Sequence, residues 1–323
     1  MKRVMVTKTG GPEVIAVEDV PVPKPGAGEA LIKMKAAGLN YADIMQREGL
    51  YLGGPKPPFG AGFEVAGTIE ELGEGAGEWR KGDAVMALCA DGFSEYVCVP
   101  ASNLIKKPNQ LDFVQAAAVP CQYLTAYHTL ITLANLQAGQ TVLIHAAAGG
   151  LGTMLVQIAK QREAIVIGTA GAEAKCELIR ELGCDHAINY REQDFESEVT
   201  SITGGAGCDL VIESVGGEIF DKSLRCVKPR GHVVVLGVAS GEVRQIDTVS
   251  LLFGNLTVSG FHLMAYTKDQ AAMEQACSEL YAWVASGVLR ITVGATFPLE
   301  QVAEAQRRMA ARETTGKVVI LPE

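Results

Sequence analysis

The 323-residue chain contains no C-x-x-C pair, no apolar run long enough for a signal core or a membrane span, no internal repeat and no block of like charge. Each absence excludes something. Its eight cysteines, Cys89, Cys98, Cys121, Cys176, Cys184, Cys208, Cys226 and Cys277, are scattered, whereas small secreted domains need a dense disulfide framework. Reduced thiols in a reducing compartment are the economical expectation. The start, Met1-Lys2-Arg3-Val4-Met5, is basic but lacks the long apolar stretch of a signal peptide, so a soluble, cytoplasmic protein is expected. Positive charge is in deficit as well: 28 Lys and Arg stand against 37 Asp and Glu, a net charge of −9 with no basic stripe to offset it locally. Nucleic acid and acidic membrane surfaces are therefore poor electrostatic partners.

What the chain does have is 48% hydrophobic content, enough to bury two substantial cores, so two domains are expected. The most telling stretch runs from Thr141 to Gly171. Thr141-Val142-Leu143-Ile144-His145 is a strand-length apolar run, followed directly by Ala146-Ala147-Ala148-Gly149-Gly150-Leu151-Gly152. Small residues let the backbone approach a pyrophosphate, and the unpaired N–H groups of the following helix bind its oxygens. Leu151, Leu155, Ile158 and Ala159 recur at helical spacing and give that helix one apolar face. Ala164 to Thr169 then reads as the second strand of a βαβ unit. The turn departs from G-x-G-x-x-G in having Ala147 at the first glycine position, but its place between strand and helix supports dinucleotide binding, with Ala148, Gly149, Gly150 and Leu151 against the phosphates.

A missing acid sets the choice of dinucleotide. NAD-binding turns usually carry Asp or Glu after the second strand to accept from the ribose 2′-hydroxyl. Here the chain reads Thr169-Ala170-Gly171, a small neutral turn with room for a 2′-phosphate, and Lys175 follows within one helical turn. Tyr190, after Ala187-Ile188-Asn189, brings a hydroxyl to the same end of the sheet. NADPH is the expected cofactor.

From Lys2 to about Gln122, short strands punctuated by Gly and Pro predict a compact β-rich barrel: Glu29–Met34, Val65–Ile69, Gly82–Met86 and Glu95–Val99. From Tyr123 to about Met264, strands alternate with helices, and Asp209–Glu213, His232–Leu236 and Leu256–Gly260 are further strands of a doubly wound sheet. Helical segments follow at Asp269–Ser286 and Leu299–Arg312, and Gly316–Leu321 is expected to return as a strand to the first domain. The expected division is thus a catalytic domain over residues 1–122, completed by 265–323, and a nucleotide-binding domain over 123–264.

Gly38-Leu39-Asn40-Tyr41-Ala42-Asp43, Gly49-Leu50-Tyr51, the Ala147-to-Gly152 turn, Asn189-Tyr190-Arg191-Glu192 and Gly316-Lys317-Val318-Val319 occur together and in order. Together they resemble the zeta-crystallin-type quinone oxidoreductases of the medium-chain dehydrogenase/reductase superfamily, over essentially the whole chain. The resemblance implies an α/β protein: a GroES-like β-rich catalytic domain, an inserted Rossmann domain with a doubly wound parallel sheet, and a cleft between them for the nicotinamide. It also implies a homodimer that pairs the last Rossmann strands, near Leu256 to Leu263. It places Asn40, Tyr41 and Asp43 beside the nicotinamide with Thr125 on the other side, and brings Gly237 to Ser240 and Phe261 to Met264 to that end, where Phe261 and Met264 would equally serve as core packing. Lys317 either reaches the cofactor from the closing strand or is a surface charge. Asn40, Asp43 and Tyr51 are the candidate catalytic residues. Tyr51 is the candidate to hydrogen-bond the acceptor oxygen and deliver a proton, the alternative being a lid residue among Gly49, Gly53 and Gly54.

Zinc relatives carry Cys where this chain has Asn40 and His-Glu where it has Phe63-Glu64; only Cys121 falls at a ligand position, and one thiolate is not a zinc site. No metal is expected. Without a Lewis acid, reduction of an electron-poor acceptor remains feasible, so the expected activity is NADPH-dependent reduction of quinones. Two alternatives stay open: reduction of the C=C bond of enones, enals or substituted acrylates, and a non-catalytic, crystallin-like NADPH-binding protein. His128 and His145 read as hydrogen-bonded residues beside a buried sheet.

Overall fold

The computed structural model describes residues Met1–Glu323. They form two compact units, Met1–Gln122 with Ile291–Glu323, and Tyr123–Arg290. No helix is long and apolar enough to cross a membrane.

The first unit is built on a seven-stranded sheet whose centre is the long strand Glu29–Leu39. Its antiparallel partners are Glu64–Leu72, Tyr96–Pro100 and the closing strand Lys317–Leu321. Alternating side chains of these strands, Ile32, Met34, Val65, Ile69, Val97, Val99, Val318 and Ile320 among them, fill one apolar core. The register sets Val318 opposite Leu39 and Val319 opposite Gly38, so Lys317 arrives where the long strand runs out into Asn40. A helix, Tyr41–Arg47, begins there. Arg47 is 1% exposed, and its Nε donates to Gln306 Oε1 at 2.7 Å, tying that helix to the one at Val302–Ala310.

The second unit holds a six-stranded, fully parallel sheet. Across it lie His186–Asn189, Ile165–Ala170, Thr141–Ile144, Cys208–Glu213, Val227–Val235 and Thr257–Gly260, the doubly wound order of a dinucleotide-binding sheet. The order reverses between Thr141–Ile144 and Cys208–Glu213, the switch point that opens a crevice at the strands' carboxyl ends. Helix Gln270–Ser286 belongs to this unit, whereas the sequence pattern grouped 265–323 with the first. The reason is a set of long-range bonds: Tyr123 donates its hydroxyl to the Ala276 carbonyl at 2.9 Å, Tyr127 donates to Glu279 at 3.0 Å, and Arg162 pairs with Glu279 at 2.9 Å.

Candidate active site

In the first unit, polar side chains converge at the end of the long strand. The Asn40 backbone N–H donates to Asp43 Oδ2 at 2.8 Å, bracing the first turn of helix Tyr41–Arg47. Asp43 is only 3% exposed, and desolvation pushes its pKa up to about 7 against the pull of the Asn40 amide and the Lys317 charge. The Asn40 carboxamide is bonded on both sides: Nδ2 donates to Glu64 Oε1 at 2.8 Å and to the Gly38 carbonyl at 3.2 Å, while Oδ1 accepts from Gln122 Nε2 at 2.6 Å and Lys317 Nζ at 2.7 Å. Lys317 is no surface charge; it is 2% exposed and pairs with the fully buried Glu64 at 2.6 Å. Gly38 makes room for this pair, since a Cβ there would lie 2.4 Å from Glu64 Oε1 and 2.5 Å from the Ala117 carbonyl oxygen.

Tyr51 stands beside this network. Its half-buried ring packs on Phe63 with centroids 5.5 Å apart. Desolvation raises its pKa, with smaller contributions from Cys121 and Asp43, so the phenol keeps its proton and remains a donor. Tyr41 is half-buried, and its pKa is raised by desolvation and by Glu48. No group of three His, Cys, Asp or Glu side chains is placed to hold a metal ion. A cation at Glu64 would also have to displace the Lys317 ammonium.

In the second unit, the first strand ends in the turn Ala146–Gly149, and helix Gly150–Gln161 starts with Gly149 as its N-cap. Ala146 takes the left-handed conformation, φ 51°, which lets the Gly149 amide donate back to its carbonyl at 3.0 Å. Gly152 is required by close approach: a Cβ there would lie 2.4 Å from the Ala146 carbonyl oxygen and 2.5 Å from Ala147 Cα. The first-turn amides, at Gly150 and Leu151, have no intrahelical acceptor, which fits them to a pyrophosphate.

At the end of the second strand, Gly171 lies under Tyr190; a Cβ on it would come 2.5 Å from the tyrosine hydroxyl. Lys175 is adjacent, and its pKa is lowered by burial and by the charge of Arg191. Arg191 is the residue that the sequence pattern missed: it was visible only as part of a motif, because its approach to Lys175 depends on the sheet end. Two cations and a phenol thus lie at this strand end, with no carboxylate in the turn Thr169-Ala170-Gly171.

Thr125 is half-buried in helix Pro120–Tyr127. Gly237 and Ser240 belong to the loop that docks on the neighbouring strand end, where the Ser240 amide donates to the Val215 carbonyl at 2.8 Å. Phe261, at the end of the sixth strand, stacks on Tyr266 at 4.7 Å. His145 is internal, its ring bonded to Thr169 and Ser223 at 3.1 and 2.8 Å and its pKa lowered to about 4 by burial. His128 is equally buried, bonded to Thr132 at 3.0 Å and stacked on Tyr266.

Comparison with known proteins agrees with both units. Residues 26–109 match the alcohol dehydrogenase GroES-like domain, and residues 150–281 match the zinc-binding dehydrogenase family. The second match lies within the nucleotide-binding unit and includes neither Asn40, Phe63 nor Cys121, so its name carries no information about metal here. The chain is 37% identical to a 2-haloacrylate reductase from a Burkholderia species, covering 99% of this chain and 98% of that one. It is 35% identical to a quinone oxidoreductase of Pseudomonas aeruginosa, covering 99% of each. The Escherichia coli quinone oxidoreductase, solved in complex with NADPH, superposes with a TM-score of 0.95 at 32% identity over 100% of both chains. This chain therefore belongs to the medium-chain dehydrogenase/reductase superfamily, as a member of its quinone oxidoreductase type.

Proposed function

We propose that this protein is an NADPH-dependent reductase that passes hydride to quinones. The observation that carries this is the end of strand Ile165–Ala170, whose turn Thr169-Ala170-Gly171 holds no acid and where Lys175, Arg191 and Tyr190 are suited to a 2′-phosphate. NADPH, when bound, supplies the hydride. The glycine-rich turn and the helix start at Gly150 would hold its pyrophosphate, and the Lys175–Arg191 pair its 2′-phosphate.

Within the first unit, Tyr51 is the donor to the acceptor oxygen. Its hydroxyl is protonated at neutral pH, as an acid that neutralises a developing oxyanion must be, and desolvation raises its pKa further. Asp43 and Asn40 fix the neighbouring helix start. Reduction of the C=C bond of a substituted acrylate is the second reading, favoured by the 37% identity to a 2-haloacrylate reductase. A steady-state panel of benzoquinone, an enone and a haloacrylate, with NADPH oxidation followed optically, separates the two. Removing the Tyr51 hydroxyl in Tyr51→Phe should lower kcat by about 100-fold, the lower bound for general-acid catalysis. A loss below threefold would make Tyr51 a lid residue only.

A second copy of this chain is proposed as partner, paired along the edge strand Thr257–Gly260. Beside that edge, helix Thr248–Gly254 exposes Val249, Leu252 and Phe253 at 56, 70 and 81%, an apolar surface of the kind that marks an interface. Sedimentation should give a dimer that Leu252→Glu with Phe253→Glu converts to monomer; a monomeric parent protein would dismiss this pairing. None of the eight cysteines forms a disulfide, which supports a cytoplasmic setting.

A further inference from the structure

We infer that the buried Lys317–Glu64 pair, joined through Asn40, is a positioning device for hydride acceptance, with Gln122 as the group it presents outward. Taking a lysine and a glutamate out of water costs about as much as their attraction returns, and a pair of apolar side chains is often as stable. Stability therefore does not account for a pair at 2% and 0% exposure. Direction does. The Asn40 carboxamide has two donor hydrogens and two acceptor lone pairs, and all four are engaged: by Glu64 and the Gly38 carbonyl on one side, by Lys317 and Gln122 on the other.

Glu64 spends its second oxygen on the Cys121 backbone N–H at 2.8 Å, so the same carboxylate also anchors the start of helix Pro120–Tyr127. Three chain segments distant in sequence are thus locked to one another around a single amide. The network has one outlet: Gln122 is half-buried, gives one N–H to Asn40 at 2.6 Å, and makes no hydrogen bond through Oε1. Its orientation is set from behind while its remaining polar atoms stay available to a carbonyl or carboxamide. The Tyr51 ring packs on Phe63, the residue before Glu64, so the same lock fixes the wall beside it.

This inference rests on the proposed reductase activity, and the test separates the two. The variants are the charge-balanced double substitution Glu64→Gln with Lys317→Met, and Gln122→Leu, which leaves the buried charges alone. The readouts are thermal melting, NADPH affinity by fluorescence titration, and kcat with benzoquinone. Both variants should bind NADPH within about threefold of the parent protein while kcat falls about tenfold or more, with the melting temperature of Gln122→Leu unchanged. Should the double variant not fold, Gln122→Leu alone decides. A kcat within twofold of the parent in Gln122→Leu, or in a folded double variant, overturns the positioning role and leaves the reductase reading intact. A parent protein that fails to oxidise NADPH with benzoquinone, an enone or a haloacrylate overturns that reading and this inference with it.

Discussion

Replacing Lys175 and Arg191 together by Ala should lower kcat/KM for NADPH by about 100- to 1000-fold while NADH use changes less than about threefold. Each cation offers the 2′-phosphate a charge-assisted hydrogen bond of about 1.5–3 kcal/mol, and each 1.4 kcal/mol is a factor of ten. Two such bonds total about 3–6 kcal/mol, about 100- to 10,000-fold in principle. Lys175 is partly exposed and Arg191 more so, hence the lower range. Without a ligand, the two like charges disfavour one another, which is the sense in which Arg191 lowers the Lys175 pKa. A bound dianion would reverse that sign. The NADPH effect should accordingly shrink as salt is raised, and the NADH constants should not follow. Parallel losses with both cofactors would mean that the pair supports the fold, and the phosphate assignment would fail.

The second unit was legible in sequence because its signals are local. Strand, turn, helix and strand follow one another from Thr141 to Ala170, and each is recognised within a dozen residues. The buried network was not legible, because its members meet only through tertiary register. Glu64 and Lys317 are 253 residues apart, and nothing in Gly316-Lys317-Val318 distinguishes a buried lysine from an exposed one until the closing strand is laid beside Leu39. Arg47 is hidden for the same reason: it ends a short helix like any solvated arginine, yet its partner Gln306 is 259 residues away. Asp43 was singled out for chemistry, and what the sequence does not reveal is that one of its oxygens is already committed to the Asn40 amide three residues back. Helix Gln270–Ser286 was grouped with the wrong neighbours because Tyr123, Tyr127 and Arg162, which hold it, carry no local sign of that contact.

Gly152→Val should abolish measurable NADPH binding and destabilise the nucleotide-binding unit by about 3 kcal/mol or more, at the upper end of overpacking. Its melting temperature would fall by roughly 6–12 °C for a unit of this size. The cause is backbone, not side chain: the added Cβ would sit 2.4 Å from the Ala146 carbonyl oxygen and 2.5 Å from the Ala147 carbonyl carbon, neither of which can rotate away. Relief requires helix Gly150–Gln161 to lift from the first strand, and that withdraws the very amides aimed at the pyrophosphate. Ala147 cannot absorb the shift either, because its Cβ already faces Gly168, where a Cβ would come within 3.0 Å. Gly149→Ala is the matched comparison. Its φ of −79° suits any residue, and its Cβ would meet the Ala146 carbonyl oxygen at 3.3 Å, tight but open to adjustment, so most binding should survive. Normal stability and NADPH affinity in Gly152→Val would show that strand and helix are not packed this closely, and the cofactor assignment would lose its structural basis.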